Sequence, residues 1–250
     1  MIVLSWNCRG LASKPKKLTL KELVQCYNLE VIMLQETLGL SSELVSPLGS
    51  TLPGWHFQAL DSSGHSGGLV IGFREGRMKL INIWGMTNFL GIEVVTSDFD
   101  IPLLIVNKYG PCQERVSFWN NLLAKVVMQN YNLVLGGDLN FSIGIVEAWG
   151  PRVREDPLSK LFLNSFSSHN LIKANMIKLK PTWRNHRTCE ARIAKRLDRF
   201  FLSEDLASRI PVFRQWVGEG GNSDHFPVLL ELVKPPLKPA APFKFNASWM

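Results

Sequence analysis

The segment Leu133–Asn140 has the sequence Leu-Val-Leu-Gly-Gly-Asp-Leu-Asn. Its three leading apolar residues predict a short buried strand, and a polar group of residues follows directly after it. Asp138 and Asn140 therefore lie at a strand end, where α/β enzymes commonly carry reactive groups. A single Asp or Asn at such a point is often only a turn residue or a helix cap, so a functional interpretation needs further segments of the same kind.

Three more polar segments of this kind occur in the chain, each at the end of a predicted strand. They are Ser5-Trp6-Asn7-Cys8-Arg9-Gly10, Leu34-Gln35-Glu36-Thr37 and Ser223-Asp224-His225. Hydrolytic enzymes that use a metal ion need ligands for the ion, a base to activate water, and donors for the charge that develops. The carboxylates, amides and histidine of the four segments supply such groups, and hard carboxylate oxygens suit Mg²⁺ or Mn²⁺.

The hydrophobic pattern predicts short buried strands between amphipathic helices. The expected strands are Ile2–Trp6, Val31–Leu34, Gly68–Phe73, Leu80–Trp84, Ile92–Thr96, Leu103–Asn107, Leu133–Leu135, Arg196–Leu202 and Pro227–Leu232. The expected helices are Lys16–Tyr27, Arg115–Met128 and Pro157–Ser168. Because some central strands follow each other without a helix between them, mixed sheets with helices outside fit better than a doubly wound parallel sheet.

The composition is that of an ordinary globular protein, with 250 residues, 46% hydrophobic content and a formal net charge of +7. A basic balance is compatible with a polyanionic partner but does not identify one. The four cysteines are far apart in the sequence, and the apolar runs are too short to span a bilayer. These features predict a soluble, intracellular protein of a reducing compartment, with no membrane partner and no obligate oligomer.

The domain organisation changes near the end of the chain. We expect one domain over residues 1–233, followed by a proline-rich linker over residues 234–250 that leads toward a further region. The prolines that interrupt any helix or central strand there are Pro235, Pro236, Pro239 and Pro242.

The four polar segments, in this order, resemble the endonuclease/exonuclease/phosphatase superfamily, which includes DNase I, abasic-site endonucleases and LINE endonuclease domains. The likeness extends to Lys108-Tyr109-Gly110-Pro111 and Arg196-Leu197-Asp198-Arg199, and so spans nearly the whole chain. It is greatest to LINE endonucleases of the plant type, on Trp6–Leu11, Phe118-Trp119 and Pro181-Thr182-Trp183. The resemblance implies a four-layer α/β sandwich of two mixed β-sheets flanked by helices, as in DNase I.

The same resemblance implies a metal-dependent endonuclease that nicks DNA and leaves a 3′-hydroxyl for target-primed reverse transcription. It also implies a reverse transcriptase domain in the same polypeptide and action in the nucleus. Two alternatives stay open. One is a phosphatase or phosphodiesterase that acts on lipid headgroups, inositol phosphates or RNA, since a fold does not fix a substrate. The other is a transposon domain that binds nucleic acid without cutting it.

Roles at the site follow from the resemblance. Glu36 would hold Mg²⁺ or Mn²⁺ with Asn7 beside it, and Asp224 is a candidate further ligand. Asp138 would position or deprotonate the attacking water. Asn140 would donate a hydrogen bond to a phosphoryl oxygen, and Tyr109 would hydrogen-bond a phosphate oxygen.

His225 would donate to the phosphate in its protonated form, with Asp198 orienting it and keeping it charged, since a carboxylate partner raises an imidazole pKa. Whether Asp138 or His225 is the acid or the base stays open at this stage. Arg9 departs from abasic-site endonucleases, which carry an Asp near the metal at that point. An arginine cannot bind a cation, so a second metal ion supported from Arg9 is not expected.

A basic stretch runs from Lys173 to Arg199, with nine Lys or Arg residues against Glu190 and Asp198. In LINE endonucleases the equivalent hairpin projects beside the active site and enters a DNA groove. Cations in such a hairpin would contact phosphates. The resemblance therefore implies nucleic-acid contacts from Trp183, Arg184, Arg187, Arg192 and Lys195.

Overall fold

Helices separate some strands of the chain, while five strands between Trp55 and Tyr109 follow one another without a helix among the described residues, in agreement with the hydrophobic pattern. The structure is a computed structural model that describes residues 1–63, 66–86, 89–111, 113–127, 132–210, 212–220 and 222–233. The expected linker over 234–250 lies outside the described residues, as does Met128 at the end of an expected helix. No helix in the described part of the chain is long and apolar enough to cross a membrane.

Fifteen strands and five helices make up the described fold. The strands are β1 (Ile2–Asn7), β2 (Val31–Gln35), β3 (Trp55–Ser63), β4 (Ser66–Arg74), β5 (Met78–Met86), β6 (Phe89–Thr96), β7 (Leu103–Tyr109), β8 (Asn132–Asp138), β9 (Ala148–Trp149), β10 (Leu171–Lys173), β11 (Trp183–Arg184), β12 (Ala194–Lys195), β13 (Asp198–Ser203), β14 (Val212–Val217) and β15 (Val228–Val233). The helices are α1 (Lys14–Tyr27), α2 (Ser41–Thr51), α3 (Arg115–Val127), α4 (Ser159–Ser168) and α5 (Glu204–Arg209).

Two mixed six-stranded sheets and one small three-stranded sheet result. The first large sheet has the order β14-β15-β1-β2-β4-β3, and the second has the order β10-β13-β8-β7-β6-β5. The small sheet has the order β11-β12-β9. In each large sheet one central pair is parallel, β1 with β2 and β7 with β8, so the carboxyl ends of both strands in a pair lie at the same edge.

Neighbouring residues on one strand face different layers, because successive side chains of a strand point to opposite faces. In β1, Val3 packs in the cluster between the two sheets, while Leu4 packs with α1 and α2 on the outer face. In β8, Val134 lies between the sheets and Leu135 packs with α3 and α4. Both sheets are therefore covered on both faces, which explains their continuous apolar runs. The expected four-layer sandwich is confirmed.

The nine expected strands and three expected helices are present, with differences at their ends and in the basic stretch. The expected strand Arg196–Leu202 begins only at Asp198, because the amides of Leu197 and Asp198 both donate to the Thr182 hydroxyl. Within the basic stretch, Trp183 of β11 pairs with Lys195 of β12. The pattern missed the helix α2, which contains Pro47 and the helix-unfavourable Gly49.

A buried ion-pair network attaches the small sheet to the second large sheet. The Glu147 carboxylate, just before β9, accepts from Arg196 Nη1 at 3.0 Å and lies 2.9 Å from Arg199 Nη2. It also accepts from the Ile143 amide at 2.7 Å. All three charged side chains are almost fully buried, and burial lowers the pKa of Arg196 to about 10. Glu147 is therefore the counter-charge that makes two buried guanidinium groups tolerable.

Replacement of Glu147 by Ala is expected to lower the free energy of unfolding by about 3–5 kcal/mol, because it leaves buried cations without a counter-charge. The matched control is Glu190→Ala, which breaks the exposed pair with Arg152 and is expected to cost at most about 1 kcal/mol. Urea unfolding measures both. Equal losses of unfolding free energy in the two variants would contradict the conclusion that the buried network stabilises the fold more than the exposed pair does.

Candidate active site

Two strand ends of the first sheet meet two strand ends of the second sheet at one edge of the sandwich. Asn7 ends β1 and Glu36 follows β2, while Tyr109 ends β7 and Asp138 ends β8. The Asn7 side-chain amide donates to Glu36 Oε1 at 2.7 Å and to Asp138 Oδ2 at 2.8 Å. The structure thus brings together predicted site residues that are more than a hundred positions apart in the sequence.

The two glycines before Asp138 are required by close packing. A Cβ on Gly137 would lie 1.9 Å from the carbonyl oxygen of Lys108 on the neighbouring parallel strand, and the φ of Gly137 is +137°. A Cβ on Gly136 would lie 2.4 Å from the Phe200 ring. Any larger side chain would push β8 away from β7 and β13, so the Gly-Gly pair sets the position of Asp138.

His225 lies between two buried carboxylates. Its Nδ1 lies 2.9 Å from Asp198 Oδ2, within hydrogen-bond distance, and its Nε2 lies 3.6 Å from Asp138 Oδ2. Burial by itself would lower the pKa of His225, but the charges of Asp198 and Asp138 outweigh it and raise the pKa from 6.5 to about 9. The imidazole is therefore a cation at neutral pH, and Asp198 fixes the orientation of its ring.

Asp138 has an opposite role in the same cluster. Burial raises the pKa of its carboxyl group from 3.8 to about 6, although the charge of His225 opposes this shift. Its Oδ1 accepts from the backbone amide of Asn140 at 3.0 Å, and its Oδ2 accepts from Asn7. With these pKa values, Asp138 at pH 7 is mainly an ionised carboxylate that can accept a proton, and His225 is a cation that can donate one.

Asn140 and Tyr109 are half-buried neighbours of Asp138. Asn140 has a left-handed backbone with φ 53°, and its side-chain amide donates to the carbonyl of Gly110 at 2.6 Å. An amide NH₂ group carries two hydrogens, so one bond to Gly110 leaves a second hydrogen for a phosphoryl oxygen. Tyr109 is half-buried beside Asp138 on the parallel strand.

Glu36 offers the carboxylate best suited to a divalent cation. It is 6% exposed and has a left-handed backbone with φ 49°, which aims it at the edge shared with Asn7 and Asp138. This set of hard oxygen donors fits Mg²⁺ or Mn²⁺. A further group of carboxylate and imidazole atoms within 4.8 Å of one another comprises Asp138, Asp198 and His225. We assign that group to proton transfer, because the His225 ring is already bonded to Asp198.

Asp224, the candidate further ligand, uses both of its carboxylate oxygens in protein contacts. Oδ1 lies 2.9 Å from Arg9 Nε, and Oδ2 accepts from Trp183 Nε1 at 2.8 Å. The Arg9 guanidinium also lies 3.9 Å from Glu36 Oε2. Arg9 thus supplies a fixed positive charge beside Asp224. A cation bound by Asp224 would have to share a carboxylate oxygen with one of these two partners or displace it.

Several positioning residues escaped the sequence analysis. The hydroxyl of buried Thr182 accepts from the Asp198 amide, and its carbonyl accepts from Phe226, next to His225. The Ser223 hydroxyl donates to the Asn7 carbonyl at 2.8 Å, and Trp6 Nε1 donates to the His225 carbonyl at 3.3 Å. Thr182, Ser223 and Trp6 belong to the sequence motifs quoted above. Membership of these motifs was therefore the signal from which a positioning role could have been predicted.

Lys108 was also not predicted as a buried group. Its side chain is fully buried, with the ammonium nitrogen 3.5 Å from the centre of the Phe118 ring, and burial lowers its pKa well below the ordinary value. Lys108 directly precedes Tyr109 in β7, and its carbonyl faces Gly137. The packing of this lysine therefore contributes to the positions of both Tyr109 and Asp138.

The basic hairpin lies beside this centre. Trp183 is half-buried, pairs with His225 through an isolated β-bridge and has its ring 6.5 Å from the His225 ring. A cavity of about 460 Å³ opens next to it, and three of the expected nucleic-acid contacts line it: Arg184, Arg187 and Arg192. Trp149, Gly150, Pro181, His186 and Ala194 complete the wall. Lys195 pairs with Trp183 in the hairpin and is half-buried.

This two-sheet sandwich, with carboxylates, amides and one histidine collected at a single edge, is the architecture of the DNase I-like phosphoesterases. The chain belongs to the Endonuclease/Exonuclease/phosphatase family, whose model matches residues 4–225. Family membership supports hydrolytic nuclease or phosphodiesterase activity, and the family is typically dependent on divalent metals. None of the curated proteins matches this chain.

Solved structures of low sequence identity share the fold. The endonuclease domain of TRAS1, a telomere-specific non-LTR retrotransposon, is 18% identical with a TM-score of 0.70, covering 92% of this chain and 97% of its own. The AP endonuclease LMAP from Leishmania major is 15% identical with a TM-score of 0.75, covering 94% and 88%. The 3′ phosphatase NExo from Neisseria, bound to a product DNA hairpin, is 16% identical with a TM-score of 0.70, covering 93% and 99%.

His225 is expected to titrate at about 9 in the metal-free protein, followed through its imidazole resonances by NMR. Asp198→Asn removes the charge that raises the pKa of His225 most. Burial, which lowers this pKa, is then opposed less strongly, so the pKa of His225 falls. The imidazolium is then lost at a lower pH. Asp100→Asn, at an exposed position, is the control and leaves the titration in place. An unchanged His225 pKa in Asp198→Asn would contradict the assigned pairing.

Glu36 is expected to carry more of the cation affinity than Asp224. In calorimetric titrations with Mn²⁺, Asp224→Asn should weaken binding about tenfold, as for an outer partner of a ligand, and Glu36→Gln should weaken it further. The physical reason is that both Asp224 oxygens already have protein partners, Oδ1 in an ion pair with Arg9 and Oδ2 as the acceptor of the Trp183 Nε1 hydrogen bond. A larger loss in Asp224→Asn than in Glu36→Gln would make Asp224 a direct ligand.

Proposed function

We propose that this protein is a metal-dependent DNA endonuclease that hydrolyses one phosphodiester bond and leaves a 3′-hydroxyl. The observation that supports it most is the buried centre in which Asn7 links Glu36 to Asp138 while His225 lies between Asp138 and Asp198. Hydrolysis of a phosphate ester requires a proton acceptor and a proton donor with different pKa values, next to oxygen ligands for a divalent cation.

The residues divide the proton transfers between them. Asp138 accepts a proton from the water whose oxygen forms the new bond to phosphorus, and the bond from phosphorus to the 3′ oxygen breaks. The leaving 3′ oxygen takes a proton from a solvent water and becomes the 3′-hydroxyl, Asp138 returns its proton to solvent, and the phosphate stays on the 5′ oxygen of the following nucleotide. His225, as a cation, and the second amide hydrogen of Asn140 donate to the phosphoryl oxygens as their negative charge grows.

Glu36, with Asn7 beside it, would hold the divalent cation. Such a cation neutralises negative charge on the phosphate when it is bound. Tyr109, opposite Asp138 on the parallel strand, orients a phosphate oxygen by hydrogen bonding. Asp198 does not touch the substrate in this scheme and acts by keeping His225 oriented and charged.

Nucleic acid is the substrate that the surroundings of the centre favour. The cavity lined by Arg184, Arg187 and Arg192 is cationic, and half-buried Trp183 joins it to His225. Guanidinium groups bind phosphate oxygens in a bidentate manner, and an aromatic ring stacks on bases. Together with the LINE-like motifs, these features support the retrotransposon type of endonuclease. A reverse transcriptase partner and action in the nucleus remain predictions.

The test uses supercoiled plasmid with Mg²⁺ or Mn²⁺, beside EDTA controls. The wild-type protein should produce open-circle DNA only with metal, and Asp138→Ala and His225→Ala should each lose about 100-fold or more of the rate, as is usual for a general acid or base. The matched controls are Asp100→Ala and His56→Ala, which change exposed residues away from the site and should nick normally.

Intact plasmid in the wild-type reaction, or nicking that persists in both variants, would refute the proposal. Two further measurements then distinguish the alternative functions. Release of phosphate from inositol phosphates or lipid headgroups would indicate a phosphatase, and DNA binding that survives chelator without any cleavage would indicate an inactive binding domain.

A further inference from the structure

A second basic groove lies along the edge of the first large sheet, apart from the hairpin cavity. It has a volume of about 410 Å³ between β14 and the chain segment that precedes Trp183. Its wall consists of Ile177, Lys178, Lys180, Arg214, Trp216 and Val217. None of these residues belongs to the centre described above or to the expected hairpin contacts.

The charge of the groove is positive. Lys178, Lys180 and Arg214 are all exposed, and Arg214 alone is paired, with Glu231. The floor is apolar, because half-buried Trp216 packs edge-on against Tyr27 with ring centres 6.4 Å apart. Ile177 is 64% exposed on the rim, so apolar surface alternates with the two lysines.

The groove is continuous with the active centre through its own backbone. The Ile177 amide donates to the Gln215 carbonyl, which holds the start of this segment parallel to β14. The segment then ends at Thr182, whose carbonyl accepts from Phe226, next to His225. Three residue steps separate Lys180 from Trp183, at most about 11 Å of extended chain. A strand that crosses the centre therefore reaches the groove within about three nucleotide steps.

We propose that this groove binds the phosphate backbone of nucleic acid that flanks the cleaved bond, with Lys178 and Lys180 contacting phosphates and the Trp216 floor contacting the sugars. The inference rests on the proposed function for its ligand, and it adds a second contact region to it. Charge complementarity and the direct path to His225 favour a polyanionic backbone over an apolar protein partner.

The test is binding of a random-sequence DNA duplex in EDTA, which separates binding from cleavage. Fluorescence anisotropy over a series of KCl concentrations gives the slope of log affinity against log salt. Removal of two phosphate contacts in Lys178→Gln/Lys180→Gln should reduce the magnitude of that slope by about 1.8 and weaken binding at 0.1 M salt on the order of 10- to 60-fold. The matched control is Lys79→Gln/Lys160→Gln, which removes the same charge from exposed positions on β5 and α4.

A second measurement uses the unmodified protein. Acetylation of lysines, followed by mass spectrometry, should decrease at Lys178 and Lys180 when duplex is added, and should not decrease at Lys79 and Lys160. The groove proposal is overturned if the two double variants have equal slopes or if Lys178 and Lys180 gain no protection. Wild-type protein that binds duplex but never nicks it would instead overturn the proposed function. The groove proposal would then still be decided by the slope of log affinity against log salt in the two double variants.

Discussion

Asn7 is the residue through which the two halves of the sandwich become one site. Its amide donates to Glu36 on its own sheet and to Asp138 on the other, so the spacing of the sheets fixes the spacing of the reactive groups. A second buried link lies beneath it, where Gln35 Nε2 donates to Asn107 Oδ1 at 2.6 Å. Asn107 in turn donates to the carbonyls of Leu34 and Val70. Apolar packing between the sheets tolerates small shifts of one sheet against the other, whereas buried hydrogen bonds of this kind do not.

The same logic extends to the basic hairpin, which is held at both ends. Glu147 joins it to the second sheet through buried guanidinium groups, and Thr182 joins it to Asp198 and to the loop of His225. Because these contacts are buried, they fix the backbone of the hairpin relative to Asp198 and His225. The proposed phosphate contacts would therefore extend from a rigid base beside His225, as the positioning of a bound ester requires.

The hydrophobic pattern predicted nine of the strands, because interior strands that are buried on both faces have unbroken apolar runs, and the family resemblance supplied the four-layer order. The pattern failed for α2, where Pro47 and Gly49 argue against a helix, yet Leu44 and Leu48 are buried against the first sheet. Tertiary packing overrides local propensity there. At the site, the groups predicted from the polar segments and the family resemblance lie together in the structure, but the contacts made by Thr182 depend on chain segments far apart and leave no periodic signal.

The charges of the centre suit the divalent cation that the proposed function requires. Its carboxylates are Glu36, Asp138, Asp198 and Asp224, and the cations that contact them are Arg9 and protonated His225. Four negative and two positive charges leave a net charge of −2, which attracts a cation. The Arg9 guanidinium lies 2.9 Å from Asp224 and cannot lose its charge near neutral pH. The arginine that departs from the abasic-site pattern is thus compatible with the proposed hydrolysis, because its fixed charge offsets part of the negative charge of these carboxylates.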